Sequence, residues 1–235
     1  MISRVSLTVI ALVAFSMPLL IWYRHTGDLS VYFSPSTPPG QWEYVLSKLF
    51  GLYAILLFSI QLIISLLGIS PLTVKAPTKK YLSPLLSKIT SRHHKWLGMS
   101  VLLFVLLHLA CFFIAVTLRQ ESLAWGLLVL KFHDFYHTQL SFGLMSFLGL
   151  LLIAIAGILR HRYRNSWLHS LHKLYLPVAI LVYTHALAIG TEFQTALGMA
   201  FYGVLASVII FLLVIHAIYF ASKEMNKNNK KGYVS

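Results

Sequence analysis

The chain has 235 residues, 58% of them hydrophobic and only 11% charged, with a mean hydropathy of +0.77. A soluble globular domain is nearer half apolar and a quarter charged, so the balance excludes an ordinary soluble fold and points to an integral membrane chain. The net charge of +13 would suit nucleic acid on its own, but the positions of the charges assign it to membrane topology instead.

A membrane-crossing helix needs about 20 mostly apolar residues. Six stretches meet that requirement, at about 5–23, 45–69, 96–118, 140–159, 174–190 and 195–221. The first is longer than the ~7–15-residue apolar core of a secretory signal, and no small-x-small cleavage pattern follows it, so it reads as a membrane helix. A short Pro-rich connector, SPSTPPG at 34–40, leads to the second span, where Gln61 is the one strongly polar residue near the middle. The third span carries His108 and the single cysteine, Cys111, which reads as an inert packing thiol in apolar surroundings. Pro18 and Pro177 fall inside spans, where neighbouring helices can take up the freed carbonyls. The expected fold class is all-α: a polytopic six-helix membrane bundle over residues 1–221, followed by a short basic tail at 222–235.

Six spans put both termini on one side. Fifteen of the 19 Lys and Arg residues fall in the N-terminus, the second loop, the fourth loop and the tail, and four fall on the other side. The positive-inside rule places the fifteen, and with them both termini, in the cytoplasm. Five of the six acids, Asp28, Glu43, Glu121, Asp134 and Glu192, face the opposite way. The basic excess is therefore a topology signal and a contact with anionic headgroups, not a nucleic-acid surface. The expected location is the inner (plasma) membrane of a bacterium.

Ionisable residues inside spans are rare and point by default to function. Of eleven histidines, His108, His185 and His216 lie within spans, and His93, His94, His169 and His172 lie at or near the cytoplasmic starts of the third and fifth. Those two spans run in the same direction. His94 and His108 are fourteen residues apart, about 21 Å of helix rise, and His172 and His185 are thirteen apart, about 20 Å. Histidines thus stand at two matched depths, as two bis-histidine b-type haems stacked across a bilayer would need. Helical phase supports His94 with His108, which agree within about 40°, over His93. It does not favour His172 with His185 on a straight helix, where the error is about 140°, although Pro177 between them offers a place to rewind. His172 suits the depth better than His169. A lone His216 reads as packing or as the lining of a quinone site. His133 and His137, four apart, could bind a metal or cap the outer haem, against the simpler reading of a solvated loop.

The stretches HKWLGMSVLLFVLLH (94–108) and SWLHSLHKLYLPVAILVYTH (166–185) resemble the ferric reductase-like transmembrane domain. That family includes NADPH oxidases, ferric-chelate reductases and the haem-binding YedZ/MsrQ-type subunits of bacterial methionine sulfoxide reductase systems. The resemblance covers about residues 92–190 and matches the fourteen-and-thirteen histidine spacing of the oxidase branch. Trp167, Leu168, His169 and Leu171 resemble the bacterial haem-subunit branch. The resemblance implies His94 and His172 as axial ligands of a cytoplasmic-side haem, and His108 and His185 as ligands of an outer one.

Two departures shape the expected function. The fourteen residues after 221 are too few for the FAD and NADPH domain of the oxidases, since even one βαβ unit needs about 30. No arginine lies in the second span, where oxidases place one near the haems. The expectation is a membrane haem subunit of an oxidoreductase. It would carry electrons from a cytoplasmic flavin reductase (FMN or FAD) or from quinol to an extracytoplasmic acceptor such as ferric iron, a partner reductase or oxygen. Arg92, Lys95, Arg160, Arg162, Arg164 and Lys173 are candidate propionate partners. A quinol-linked cytochrome b anchoring a respiratory oxidoreductase is the alternative, and a haem-free transporter or scaffold the lesser one.

Overall fold

The computed structural model describes residues 4–69, 79–163, 166–172 and 174–232. Among the described residues every regular element is helical: α1 (Arg4–Thr26), α2 (Gln41–Ile69), α3 (Lys79–Gln120), α4 (Phe135–Tyr163), α5 (Ser166–His172), α6 (Tyr175–Ile189) and α7 (Ala196–Gly232). Short 3₁₀ turns at Leu29–Phe33, Trp125–Leu128 and Thr191–Gln194 lie in the connections. Six stretches are long and apolar enough to cross a membrane: Thr8–Thr26, Gln41–Leu67, His94–Gln120, Phe135–Leu159, Ser170–Ile189 and Ala196–Ser222. The expected all-α class and its six spans are therefore present, and the protein reads as a multi-pass membrane protein.

The helices outrun the apolar spans. α3 begins at Lys79, well before the expected start at 96, and absorbs Pro84 near its beginning. α7 runs on to Gly232 through the basic tail. Hydropathy marks where lipid contact ends. It does not mark where the backbone hydrogen-bond ladder ends, and these polar flanks are rich in good helix formers.

The fifth span is two helices. α5 stops at His172, and Leu174 N–H bonds Leu171 O at 3.0 Å, a tightened i to i−3 turn. α6 then starts at Tyr175, with Pro177 in its first turn, where a missing N–H costs no helical bond. The straight-helix phase objection to His172 and His185 therefore lapses, because they do not share one helix.

The chain packs as two compact units. One runs to Leu56 and from Met99 to Phe201; the other runs from Leu57 to Gly98 and from Tyr202 onward. In the first, α4 lies along both α5 and α6. Trp22 Nε1 donates to Val45 O at 2.7 Å and the Tyr53 hydroxyl to Phe15 O at 3.1 Å, tying α1 to α2. Gly40, at φ +74°, sits so close to α3 that a Cβ would stand 2.4 Å from Ala115 O; both the backbone angle and the space demand glycine. The rings of Phe50 and Tyr53 pack on Phe104. In the second unit, Leu57, Phe58, Leu62 and Leu66 of α2 are buried. Large side chains such as Leu12, Leu103, Ile158 and Ile210 are more than half exposed, as lipid-facing residues are.

Candidate functional site

His108 of α3 and His185 of α6 meet in the first unit. Their ring centres are 6.4 Å apart and their planes 74° apart. Two imidazoles bonded to one metal ion at about 2 Å each would have ring centres about 6 Å apart. Edge-to-face ring pairs fall in the same range, so separation alone does not distinguish a ligand pair from packing.

The nitrogens say more about what the pair could do. His108 Nδ1 lies 2.7 Å from Ser47 O and 3.1 Å from Ser47 Oγ. His185 Nδ1 lies 2.7 Å from Gln139 O. A carbonyl oxygen only accepts, so each Nδ1 carries the proton and each Nε2 keeps its lone pair. Among the described residues neither Nε2 has a hydrogen-bond partner. This is the arrangement of a metal-ligating histidine: Nδ1–H held by a carbonyl, tautomer and ring orientation set, Nε2 free to coordinate.

The helices opposite the two rings are cut back to make room. A Cβ on Gly143 of α4 would stand 2.6 Å from His185 Cε1 and 2.7 Å from its Nδ1. A Cβ on Gly51 of α2 would stand 3.1 Å from His108 Nδ1. Gln139 is buried, and its side-chain Oε1 meets no hydrogen-bond partner among the described residues. A buried orphan acceptor calls for a bound group or water. The residues present thus fit a metal porphyrin held between His108 and His185.

His172 belongs to the same unit. Its Nδ1 lies 3.4 Å from Ile153 O, and a Cβ on Gly157 would touch its ring at 3.7 Å. α4 therefore receives both His172 and His185, thirteen residues apart, along one side. His94 lies in the second unit, half-buried, with Nδ1 3.5 Å from Ser65 Oγ. Gln61 lies there too, its Nε2 3.2 Å from where a Gly98 Cβ would be. The side chains of the alternatives His93 and His169 lie outside the described residues, as do those of Arg92, Arg160 and Arg162, and all of Arg164 and Lys173. Lys95 is described and exposed.

Beside His108 lies a charged group that the sequence reading missed. Glu192 is only 3% exposed, and its Oε1 stands 3.0 Å from Lys48 Nζ and 3.7 Å from His25 Nε2. Lys48 Nζ also donates to Thr191 Oγ1 at 2.8 Å. Lys48 follows Ser47, whose carbonyl holds His108, so the ion pair pins this turn of α2. Sequence distance hid the cluster: its members come from the ends of three spans.

His133 lies in the exposed connection before α4, as a solvated loop would have it, whereas His137 lies in the first turn of the helix. They flank the start of α4 with Asp134, whose Oδ2 is 2.9 Å from His133 Nε2 and 2.6 Å from His137 Nδ1. Asp134 Oδ1 accepts the His137 N–H at 2.8 Å, an N-cap that holds the Asp134 carboxyl below the usual carboxylate range. The ligand-type atoms of the three lie within 4.8 Å of one another, close enough to hold a metal ion, and Asp134 also serves as the helix cap. His216 Nδ1 is buried with no hydrogen-bond partner among the described residues, its ring 5.0 Å from Phe220.

Comparison of the chain with protein-family models, with curated proteins and with solved structures gives no match to any of them.

Proposed function

We propose that the protein is a diheme b-type transmembrane electron-transfer subunit of the ferric reductase-like kind. Electrons would enter from a cytoplasmic flavoprotein reductase or quinol, cross by two stacked haems, and leave to an extracytoplasmic acceptor: ferric iron, a partner reductase or oxygen. The observation that carries the reading is the His108 and His185 pair, 6.4 Å apart, each with Nδ1 committed to a helix carbonyl.

A bound haem supplies a one-electron iron couple. The chain supplies the rest. His108 and His185 would hold the iron of one haem through their Nε2 lone pairs, leaving it suited to pass electrons rather than to bind oxygen. The Ser47 and Gln139 carbonyls orient the rings and raise their basicity. Gly51 and Gly143 keep side chains off them. His94 and His172 are the proposed ligands of the second haem. Fifteen cationic residues on the side that carries both termini orient the chain and offer a basic face to an acidic donor.

The test is a reduced-minus-oxidised spectrum of the protein purified in detergent from haem-replete cells, with haem quantified per chain. Two b-type haems support the proposal. A second reading, a quinol-linked cytochrome b, is favoured by His216, whose buried Nδ1 would suit a quinone oxygen. Reduction of both haems by a quinol analogue, lost in His216→Ala, would select it.

A further inference from the structure

Three of the four proposed ligand histidines meet their partner helix by one rule. His108 Nδ1 faces Ser47 O, and Gly51 comes four residues later. His185 Nδ1 faces Gln139 O, and Gly143 comes four later. His172 Nδ1 faces Ile153 O more loosely, at 3.4 Å, and Gly157 comes four later. In each case the glycine is also the residue lying against that same ring. The chain has 13 glycines in 235 residues, so a glycine at one chosen position three times in three is not what random placement gives.

The physical reason lies in helix geometry. A helical carbonyl at position i already accepts the N–H of i+4, and its second lone pair points outward. The Cβ at i+4 leans back toward the helix N-terminus and covers that lone pair. This protein shows the cover directly: the hydroxyls of Thr138, Ser146, Thr184 and Ser222 each reach the carbonyl four residues before them, at 2.6–2.8 Å. Glycine at i+4 removes the cover. The carbonyl then accepts a second donor from a neighbouring helix, and at Gly143 and Gly51 the ring of that donor crowds the place a side chain would take.

We propose that Gly51, Gly143 and Gly157 are positioning residues: each uncovers one helix carbonyl so that it can take the Nδ1–H of a haem-ligand histidine and set the ring's tautomer and orientation. Gly143 and Gly157 stand fourteen residues apart on α4, as His94 and His108 do on α3. Fourteen after Gly51 stands Ser65, whose small hydroxyl faces His94. The spacing on α3 thus matches that on its supporting helix α2, while on α4 fourteen stands against the thirteen between His172 and His185. This inference rests on the proposed haem function. The bland alternative is that these glycines merely let helices approach. Gly149 provides the control: it lies on α4 with no histidine against it, and a Cβ there would stand 2.5 Å from Val178 Cγ2.

The experiment compares Gly143→Ala, Gly51→Ala and Gly157→Ala with Gly149→Ala and with Gly203→Ala, where a Cβ meets nothing within 4 Å. Each full-length variant is purified from haem-replete cells. Haem per chain, the low-spin ferric electron paramagnetic resonance signal, the potentials and thermal stability are read. Gly143→Ala is expected to lose one of two haems, or to retain it with an altered signal and a raised potential, since a ligand without its carbonyl is less basic. Gly51→Ala, with more room, should show a smaller change in the same haem, and Gly157→Ala the smallest change, in the other. Gly149→Ala should lose stability with a wild-type signal, and Gly203→Ala should change neither. Should Gly143→Ala fail to fold, Gly51→Ala decides. A wild-type signal and potential in the folded glycine variants overturns the inference, as does an equal shift in Gly149→Ala. A haem-free wild type would instead refute the proposed function itself.

Discussion

His108 and His185 hold helix carbonyls at 2.7 Å, whereas His172 reaches one at 3.4 Å and His94 reaches a serine hydroxyl at 3.5 Å. The first distances are those of full N–H···O hydrogen bonds, and the second lie beyond the usual range. The first two rings also lie over glycines that a Cβ would crowd, while Gly157 leaves ordinary contact distance to His172. The difference is one of preorganisation. The backbone sets tautomer and ring plane at His108 and His185 before any ligand arrives. A preorganised site spends less of its binding energy on ordering, so it should fill first.

The comparison can be broken most strongly at the preorganised pair. His108→Ala or His185→Ala should remove one haem per chain entirely, leaving about half the absorbance of the α band, with the remaining haem unchanged in potential. Retention of two haems in either variant would separate the pair from haem binding. A gentler test starves the cells of haem. The residual haem should then sit at the His108 and His185 site, and His94→Ala or His172→Ala should cost little of it, while under full supply those variants lose the other haem. His93→Ala and His169→Ala should bind as wild type does.

A smaller effect is expected from the buried ion pair beside His108. Lys48→Ala leaves the Glu192 carboxylate buried without its lysine, a loss of about 3 kcal/mol for a buried pair broken on one side. It should lower the melting temperature in detergent, and Lys48→Met with Glu192→Leu together should recover much of it. Equal destabilisation by the double replacement would mean that the pair does not act as a unit.

The smallest effect concerns pH. Asp134 caps α4, the helix whose Gln139 carbonyl holds His185, and its carboxyl is held below the usual value of about 4, first by the His137 N–H. A carboxyl depressed in the folded state contributes stability that is present above its unfolded value and lost as pH falls through the folded one. The cap's contribution to thermal stability should therefore be constant between pH 7 and 5, with a small acid-side decline that Asp134→Asn removes. An acid-side decline that persists in Asp134→Asn would contradict the cap's role.

Much of this was legible in the sequence because lipid imposes a simple code. Long apolar runs gave the six spans, and ionisable residues inside them drew attention to His108 and His185. The break between His172 and Tyr175 was foreshadowed by Pro177, but its place was not, since a proline in a first turn follows the break rather than making it. The extension of α3 back to Lys79 was hidden because hydropathy reports solvent, not hydrogen bonding. Ser47, Gln139 and their glycines were hidden for another reason. A carbonyl has no sequence signature, and whether it is uncovered depends on a residue four places on and on a ring from a different helix. The one available signal was the fourteen-residue repeat of Gly143 and Gly157, matching that of His94 and His108.

The most direct measurement is haem stoichiometry with the reduced-minus-oxidised spectrum of the purified wild type beside His185→Ala, both from haem-replete cells. The account predicts two b-type haems per wild-type chain and one in the variant. A wild-type protein folded in detergent with no haem, or a variant that keeps both haems, would contradict it.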